Sequence, residues 1–252
     1  MYSVLQNKQN GKLFQDPFPY LIIDNALPEE LYSKLDNSFV DYRKIIGEEE
    51  YRDNYAYRIN AYNSLNNEGL NSIWRNFIQY HTSFDFLLEL YEVFNDAILK
   101  YYPLSAGKFP TKKNTGVRFS GNHYFNLDSQ FVINTPPTKA TSVIEPHLDS
   151  PKKLFAGLFY MRNKEDNSTG GNLTTHKFKG EPSFYGQSRV RKHKIENIGE
   201  IEYKANRFVV FLNTPFSIHG VTKKNTSNHY RKYINIVGAF NFNLFDYKKF
   251  LE

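Results

Sequence analysis

Seven histidines occur in the chain: His81, His123, His147, His176, His193, His219 and His229. Two of them have neighbours suited to chemistry. In Glu145-Pro146-His147-Leu148-Asp149 an imidazole and a carboxylate stand two residues apart. On extended chain they project from one face while Leu148 turns to the other, toward apolar packing. Far downstream, Arg207-Phe208-Val209-Val210-Phe211-Leu212 reads as a buried strand that leads through Asn213-Thr214-Pro215 to Ser217-Ile218-His219-Gly220-Val221. A second imidazole therefore sits where one strand gives way to the next. Two imidazoles and one carboxylate gathered on one side of a metal leave three octahedral positions open, the geometry with which non-haem Fe(II) takes a co-substrate and O₂ together. Zinc accepts the same ligands. Alone, a His-x-Asp pair is weak, because most such pairs are ordinary polar residues. With no cysteine in the chain, thiolate ligands, disulfides and thiol nucleophiles are excluded, and any metal falls to His, Asp or Glu. The other five histidines read as hydrogen-bonded structural or surface groups.

These side chains need a scaffold, and the 252 residues are enough for one well-buried core. Charged residues at 23% and hydrophobic ones at 40% describe a globular composition and exclude collagen-like, disordered and membrane-bundle classes. Aromatic residues reach 17%, which favours sheet faces on which flat rings pack. Pro19–Asp24 reads as a strand, followed by a helix start at Leu27-Pro28-Glu29-Glu30-Leu31, with Leu31, Leu35 and Phe39 at four-residue spacing. Leu70, Ile73, Trp74, Phe77 and Ile78 predict a second helix. Phe84, Leu87, Leu88, Tyr91, Phe94 and Ile98 predict a third, capped at Thr82-Ser83 and stopped at Pro103. Beyond Pro103 the period changes. Val117–Tyr124, Gln130–Asn134, Leu154–Met161, Asn172–Phe178, Arg207–Asn213 and Tyr233–Phe242 are short runs rich in β-branched and aromatic residues, bounded by Gly, Pro, Asn or Asp. The pattern predicts an α+β fold: a sandwich or barrel (106–252) with an N-terminal strand and helices (1–105) buttressing one face. The change near residue 105 is a change of layer within one domain.

The strand order then gains a chemical meaning. After His147-Leu148-Asp149 comes an aromatic-ended strand, Leu154 to Asn163, then Gly170-Gly171-Asn172-Leu173. After His219 comes a basic polar hairpin, then Arg231-Lys232-Tyr233-Ile234-Asn235-Ile236-Val237. As an ordered set over residues 117 to 242, this resembles the Fe(II)/2-oxoglutarate-dependent dioxygenases, in particular their prolyl-4-hydroxylase-like branch. The resemblance implies a double-stranded β-helix, or jelly roll. It implies His147, Asp149 and His219 as iron ligands, and Tyr160 as a hydroxyl donor to the distal carboxylate of 2-oxoglutarate. Arg231 or Lys232 is the implied cation for that carboxylate, and Arg231 is preferred for its planar fork. The cation lies twelve or thirteen residues past His219, a wider gap than most members show. Fe(II), 2-oxoglutarate, O₂ and ascorbate are the implied cofactors. The implied reaction is hydroxylation coupled to decarboxylation of 2-oxoglutarate to succinate and CO₂. Halogenating relatives replace the carboxylate ligand with a small residue, so Asp149 points to hydroxylation.

Other features suggest partners. Gln130 and Asn134 share a strand face with Val132 and can point toward the metal, although a turn cap serves Asn134 equally well. Arg162 can reach a substrate, with a surface ion pair the more ordinary role. Ser188–Lys194 carries four cations in seven residues; it can steer an anionic small-molecule or peptidyl substrate or serve as a solvated hairpin face. A formal net charge of +6 allows a nucleic-acid partner without favouring one. The segments 51–67 and 178–194 are candidate lids. Residues 1–17 lack an apolar leader and no apolar run reaches membrane length, so no membrane association and a cytoplasmic location are expected. Two other readings stay open: a cupin-like metal-binding jelly roll without oxygenase turnover, and a basic nucleic-acid-binding module.

Overall fold

The computed structural model describes residues 2–47, 50–102, 109–185 and 189–246; Pro103, the layer change near residue 105, and Ser188 lie outside them. Eleven described strands form two sheets. The larger contains β1 (Lys12–Phe14), β2 (Tyr20–Ile23), β3 (Ala56–Ile59), β4 (Thr115–Val117), β5 (Phe125–Asn134), β6 (Lys153–Tyr160), β9 (Arg207–Leu212) and β11 (Arg231–Phe240). Its order is β1-β2-β9-β6-β11-β5-β3, antiparallel throughout, with β4 added parallel to β5. The smaller sheet runs β10-β7-β8, from β7 (Leu173–Phe178), β8 (Ile195–Ile201) and β10 (His219–Val221). The chain thus passes repeatedly between sheets, and each passage presents a connecting segment at the rim.

Period-two alternation decides what lies on each face of the large sheet. Phe125, Leu127, Phe131 and Ile133 of β5, Phe159 of β6, Phe208 and Val210 of β9, and Ile234 and Ile236 of β11 all join the helical core. Their alternates Val132, Ala156, Tyr160, Val209, Phe211 and Tyr233 pack with Leu173 and Ile201 of the small sheet. The helices are α1 (Glu29–Asn37), α2 (Tyr42–Ile46), α3 (Ala61–Leu65), α4 (Ser72–His81) and α5 (Phe84–Tyr101). Asn71 and Ser83 cap α4 and α5 by accepting from the backbone N–H groups of Ile73 and Phe86. Trp74, Phe77 and Ile78 of α4 are buried, and the Trp74 ring stands 4.7 Å from that of Phe131. Each such side chain contributes about 1.5–3 kcal/mol by leaving water. The buried stripe of α5 runs through Phe86, Leu87, Leu90, Phe94 and Ile98, and the expected Leu88 is 41% exposed.

Three expectations are corrected. The strand predicted over Val117–Tyr124 does not form: β4 ends at Val117, Phe119 takes φ 72°, and Ser120 Oγ donates to the Val117 carbonyl at 2.7 Å, closing a turn before β5. The candidate lid 51–67 instead supplies β3, the edge strand paired to β5, and α3. Finally, β8 forms over a segment for which no strand is predicted. Among the described residues no helix is long and apolar enough to cross a membrane.

Candidate metal centre

His147 sits on the segment joining β5 to β6 and meets His219 of β10 in an isolated antiparallel bridge. Each backbone N–H donates to the other's carbonyl, at 2.9 and 3.1 Å. Directly opposed residues of such a pair send their side chains to the same face, so the two imidazoles lie with centroids 4.5 Å apart. Asp149, two residues on, returns to that face, while Leu148 turns into a separate apolar cluster with Phe178, Phe184, Val190, Ile195 and Ile218. One ligand atom from each of His147, Asp149 and His219 falls within 4.8 Å of the others, so the three can hold a metal ion.

The surroundings prepare these atoms. His147 Nδ1 lies 2.9 Å from the Glu145 carbonyl, and His219 Nδ1 lies 2.9 Å from that of Ser217. A carbonyl only accepts, so each Nδ1 is the donor and Nε2 is the ring nitrogen left for ligation; His219 Nε2 lies 4.0 Å from Asp149 Oδ2. The turn that delivers His219 is itself tied, with Ser217 Oγ donating to the Leu212 carbonyl and accepting from Thr214 N–H, both at 2.8 Å. Asn213 Nδ2 donates to the carbonyls of Ser150 and Lys153, at 2.9 and 3.0 Å, fixing the turn after Asp149. Burial, with the His147 imidazole beside it, pushes His219 down to about 4. Burial works to raise Asp149, but Lys153, His219 and His147 together outweigh it and hold the carboxyl well below its usual range. At neutral pH the site therefore presents an ionised carboxylate and a neutral His219, the protonation states that metal ligation requires.

The three groups open into a cavity of about 240 Å³ between the sheets, lined also by Arg58, Lys153, Leu158, Phe211, Arg231 and Asn235. Arg231, 3% exposed, has its guanidinium within 4.8–5.1 Å of the ring centroids of Tyr160, Tyr203 and Tyr233. Its Nε donates to the Gly171 carbonyl at 2.9 Å, made available by φ +73° at that glycine. Its Nη2 and the hydroxyl of Tyr160, a residue that packs behind Arg231 and does not itself line the cavity, are buried without hydrogen-bonding partners among the described residues. Burial raises the Tyr160 hydroxyl to about 12 against the lowering effect of Arg231, so it remains a donor. A buried cation and a buried hydroxyl with unused hydrogens fit an anionic guest with several acceptor oxygens.

Other predicted residues fall elsewhere. Alternation turns Lys232 to the helical side, where Nζ donates to Asp36 of α1 at 2.8 Å and lies over Phe39, so it does not reach the cavity. Gln130 is buried and engaged with Asp128 at 2.6 Å and Asn235 at 3.2 Å. Asn134 is buried with its amide unpaired among the described residues, but it does not line the cavity. Arg162 donates to the carbonyls of Tyr203, Asp166 and Ser168, and so holds the connection after β6 without lining the cavity. The basic run has a mixed placement. Arg189 bridges to His147 through the backbone, and Tyr185, Arg189, Arg191 and Lys192 wall a groove of about 730 Å³ that shares Val143, Ile144 and His147 with the cavity. Lys192 pairs with Glu145 at 2.8 Å. Sequence reasoning missed Arg58 and Lys153. Arg58 follows Ala56 by two on the strand-like Ala56-Tyr57-Arg58-Ile59, a readable alternation, whereas Lys153 carries no such signal.

No protein-family model matches the sequence, and no curated protein does. Solved structures similar to this chain include a prolyl-4-hydroxylase from Pseudomonas putida, at 12% identity and TM-score 0.48, with 88% of this chain and 93% of that one covered. A prolyl 4-hydroxylase from Phytophthora capsici aligns at 13% identity and TM-score 0.48, covering 88% of this chain and 59% of the other. The collagen prolyl hydroxylase of Paramecium Bursaria Chlorella virus-1, in its 2OG complex, aligns at 14% identity and TM-score 0.39, covering 88% and 96%.

Proposed function

We propose that this chain is an Fe(II)- and 2-oxoglutarate-dependent dioxygenase that hydroxylates its substrate from a double-stranded β-helix. One observation carries the reading: His147, Asp149 and His219 converge, with both Nδ1 atoms engaged by backbone carbonyls and both Nε2 atoms left for a metal, in a cavity that Arg231 with its tyrosine cage also lines. The strand order β9-β6-β11-β5 and its partner sheet β8-β7-β10 support the β-helix, because the chain changes sheet after β6, β8, β9 and β10. The donor set fits iron, and the unused hydrogens of Arg231 and Tyr160 fit a dicarboxylate. When bound, iron and 2-oxoglutarate supply the oxidation, in which the co-substrate loses CO₂ to become succinate and a substrate C–H bond is hydroxylated.

The protein's part is holding and shielding. His147 Nε2, His219 Nε2 and an Asp149 oxygen hold the iron. Arg231 Nη2 takes the distal carboxylate of 2-oxoglutarate, with the Tyr160 hydroxyl as second donor. Ala156, Leu158, Leu173 and Phe211 exclude water from one side of the cavity. The substrate, a small molecule or peptidyl side chain, approaches His147 along the groove walled by Tyr185, Arg189 and Arg191, whose cations suit an anionic group. Succinate release under air, with Fe(II), 2-oxoglutarate and ascorbate, tests the proposal. Turnover that disappears in His147→Ala and His219→Ala supports it. Metal binding without succinate release in any substrate pool would leave a cupin-like metal protein. Steeply salt-dependent nucleic-acid binding with no metal content would leave the basic binding module.

A further inference from the structure

The ladder between β6 and β11 breaks at one place. Phe155 stands opposite Gly238, but the next partner of Ala239 is Lys153, so Leu154 is an extra residue on β6. Leu154 and Phe155 both enter the helical core, and alternation resumes with Lys153 on the cavity side. Without the bulge, Lys153 would share the face of Phe155 and meet the helices. Bulges beside functional sites commonly re-aim a side chain in this way. The re-aimed ammonium donates to Asp149 Oδ1 at 2.8 Å, while Oδ2 is the oxygen that faces His219 Nε2, at 4.0 Å. The two side chains are only 26% and 14% exposed. The turn between them is clamped by Asn213 and closed by a Lys153 N–H to Ser150 carbonyl bond of 2.9 Å.

From this geometry we infer that Lys153 is a positioning residue that occupies one oxygen of Asp149, so the carboxylate offers a metal only Oδ2 and the remaining coordination positions stay open for small ligands. The inference rests on the metal-centre reading above. It gives the bulge a purpose: a carboxylate at this distance from two imidazoles, left free to rotate, can close on a cation with both oxygens and consume a position that exchangeable ligands need.

Mn(II) reports open positions directly, through the water-proton relaxation enhancement of each bound ion. The full chain, freed of metal, is titrated with Mn(II) as wild type, Lys153→Met, Lys153→Gln, Lys153→Arg and His147→Ala, each checked for an unchanged melting profile. Relaxivity per bound ion is expected to fall by roughly one third in Lys153→Met and Lys153→Gln, one of three open positions being lost. Lys153→Arg, which keeps a donor on Oδ1, is expected to retain the wild-type value. Binding of 2-oxoglutarate to the Mn(II)-loaded chain is expected to weaken about tenfold in Lys153→Met, a loss of about 1.4 kcal/mol. Equal relaxivity in wild type and Lys153→Met, with Mn(II) bound to both, overturns the role of Lys153 and leaves the metal centre standing. Failure of the wild type to bind Mn(II) any better than His147→Ala overturns the metal centre and the inference with it.

Discussion

His81 shows how firmly one buried polar side chain can be committed. Its Nδ1 lies 2.7 Å from the Phe77 carbonyl of its own helix, and its Nε2 accepts the Val4 N–H at 3.1 Å, tying the N-terminal segment to α4. Burial drives it down to about 3, against an ordinary value near 6.5. The unfolded chain takes up a proton below about pH 6.5 while the folded chain does not, so this residue removes stability as pH falls from 6.5 toward 3 and has no effect above. The loss is about 1.4 kcal/mol per pH unit. In His81→Gln the amide oxygen can still accept from Val4, but nothing titrates. Urea unfolding between pH 6 and 4 is expected to show a shallower decline in the variant by about that slope; coincident slopes would refute the assignment. Neighbouring positions on β11 make a second prediction at this scale. Arg231→Met is expected to cost about 2–5 kcal/mol of 2-oxoglutarate affinity, since it strands a buried carboxylate without its cation. Lys232→Met, which loses the Asp36 pair and the Phe39 contact on the opposite face, is expected to leave calorimetric affinity within about twofold, the scale on which separate sites couple.

Strands and their irregularities decide what could be read in advance. The candidate metal ligands were legible because two of them depend on spacing within five residues and the third follows a strongly apolar strand. The apolar and aromatic runs of β6, β9 and β11 were legible, as were the apolar stripe of α4 and the Ser83 cap of α5, but the faces of β11 were not, which left both Arg231 and Lys232 as candidates. What was hidden lies at bulges, where period two breaks. Lys153 has the parity of Phe155 and reads as a core-side position until Leu154 is skipped. In β8, buried Ile195 and Ile201 share parity, but the register slips between Thr175 and His176 of β7 and passes over Ile198, leaving exposed polar residues between two apolar ends. That pattern predicts no strand. Gly238 is what the bulge in β6 requires: a Cβ there would stand 2.3 Å from Phe155 Cε1 and 2.7 Å from Phe125 Cζ, both rings of the packed core. Gly238→Ala is expected to cost about 1–3 kcal/mol through overpacking, a fall of roughly 2–10 °C in Tm. Gly199→Ala on β8 meets only Thr175 Oγ1, at 3.6 Å, and is expected to stay within about 0.5 kcal/mol of wild type. Thermal melts of the two variants side by side check both.

Across the whole molecule the candidate centre is a seam. His147 and Asp149 come from the segment between β5 and β6, His219 from β10 of the small sheet, and Arg231 from β11 of the large one. Only the folded chain brings these four together, so a metal ion has no comparable site on the unfolded chain, and its binding energy adds directly to the stability of the native state. At a free concentration one hundred times its Kd the gain is about 2.7 kcal/mol. For a chain of this length that is an upward shift of about 5–10 °C in Tm. Mn(II) is the suitable ion, since it takes nitrogen and oxygen ligands and does not oxidise during a melt. The shift is expected to vanish on adding EDTA and to be absent in His219→Ala, although that variant keeps His147 and Asp149. Adding 2-oxoglutarate is expected to raise Tm further only when Mn(II) is present, because the proposed function has the anion held jointly by the metal and by Arg231 on the facing sheet. A shift of equal size with 2-oxoglutarate alone would mean that Arg231 and its tyrosine cage bind the anion independently of the imidazoles. The two halves of the seam would then be separate sites.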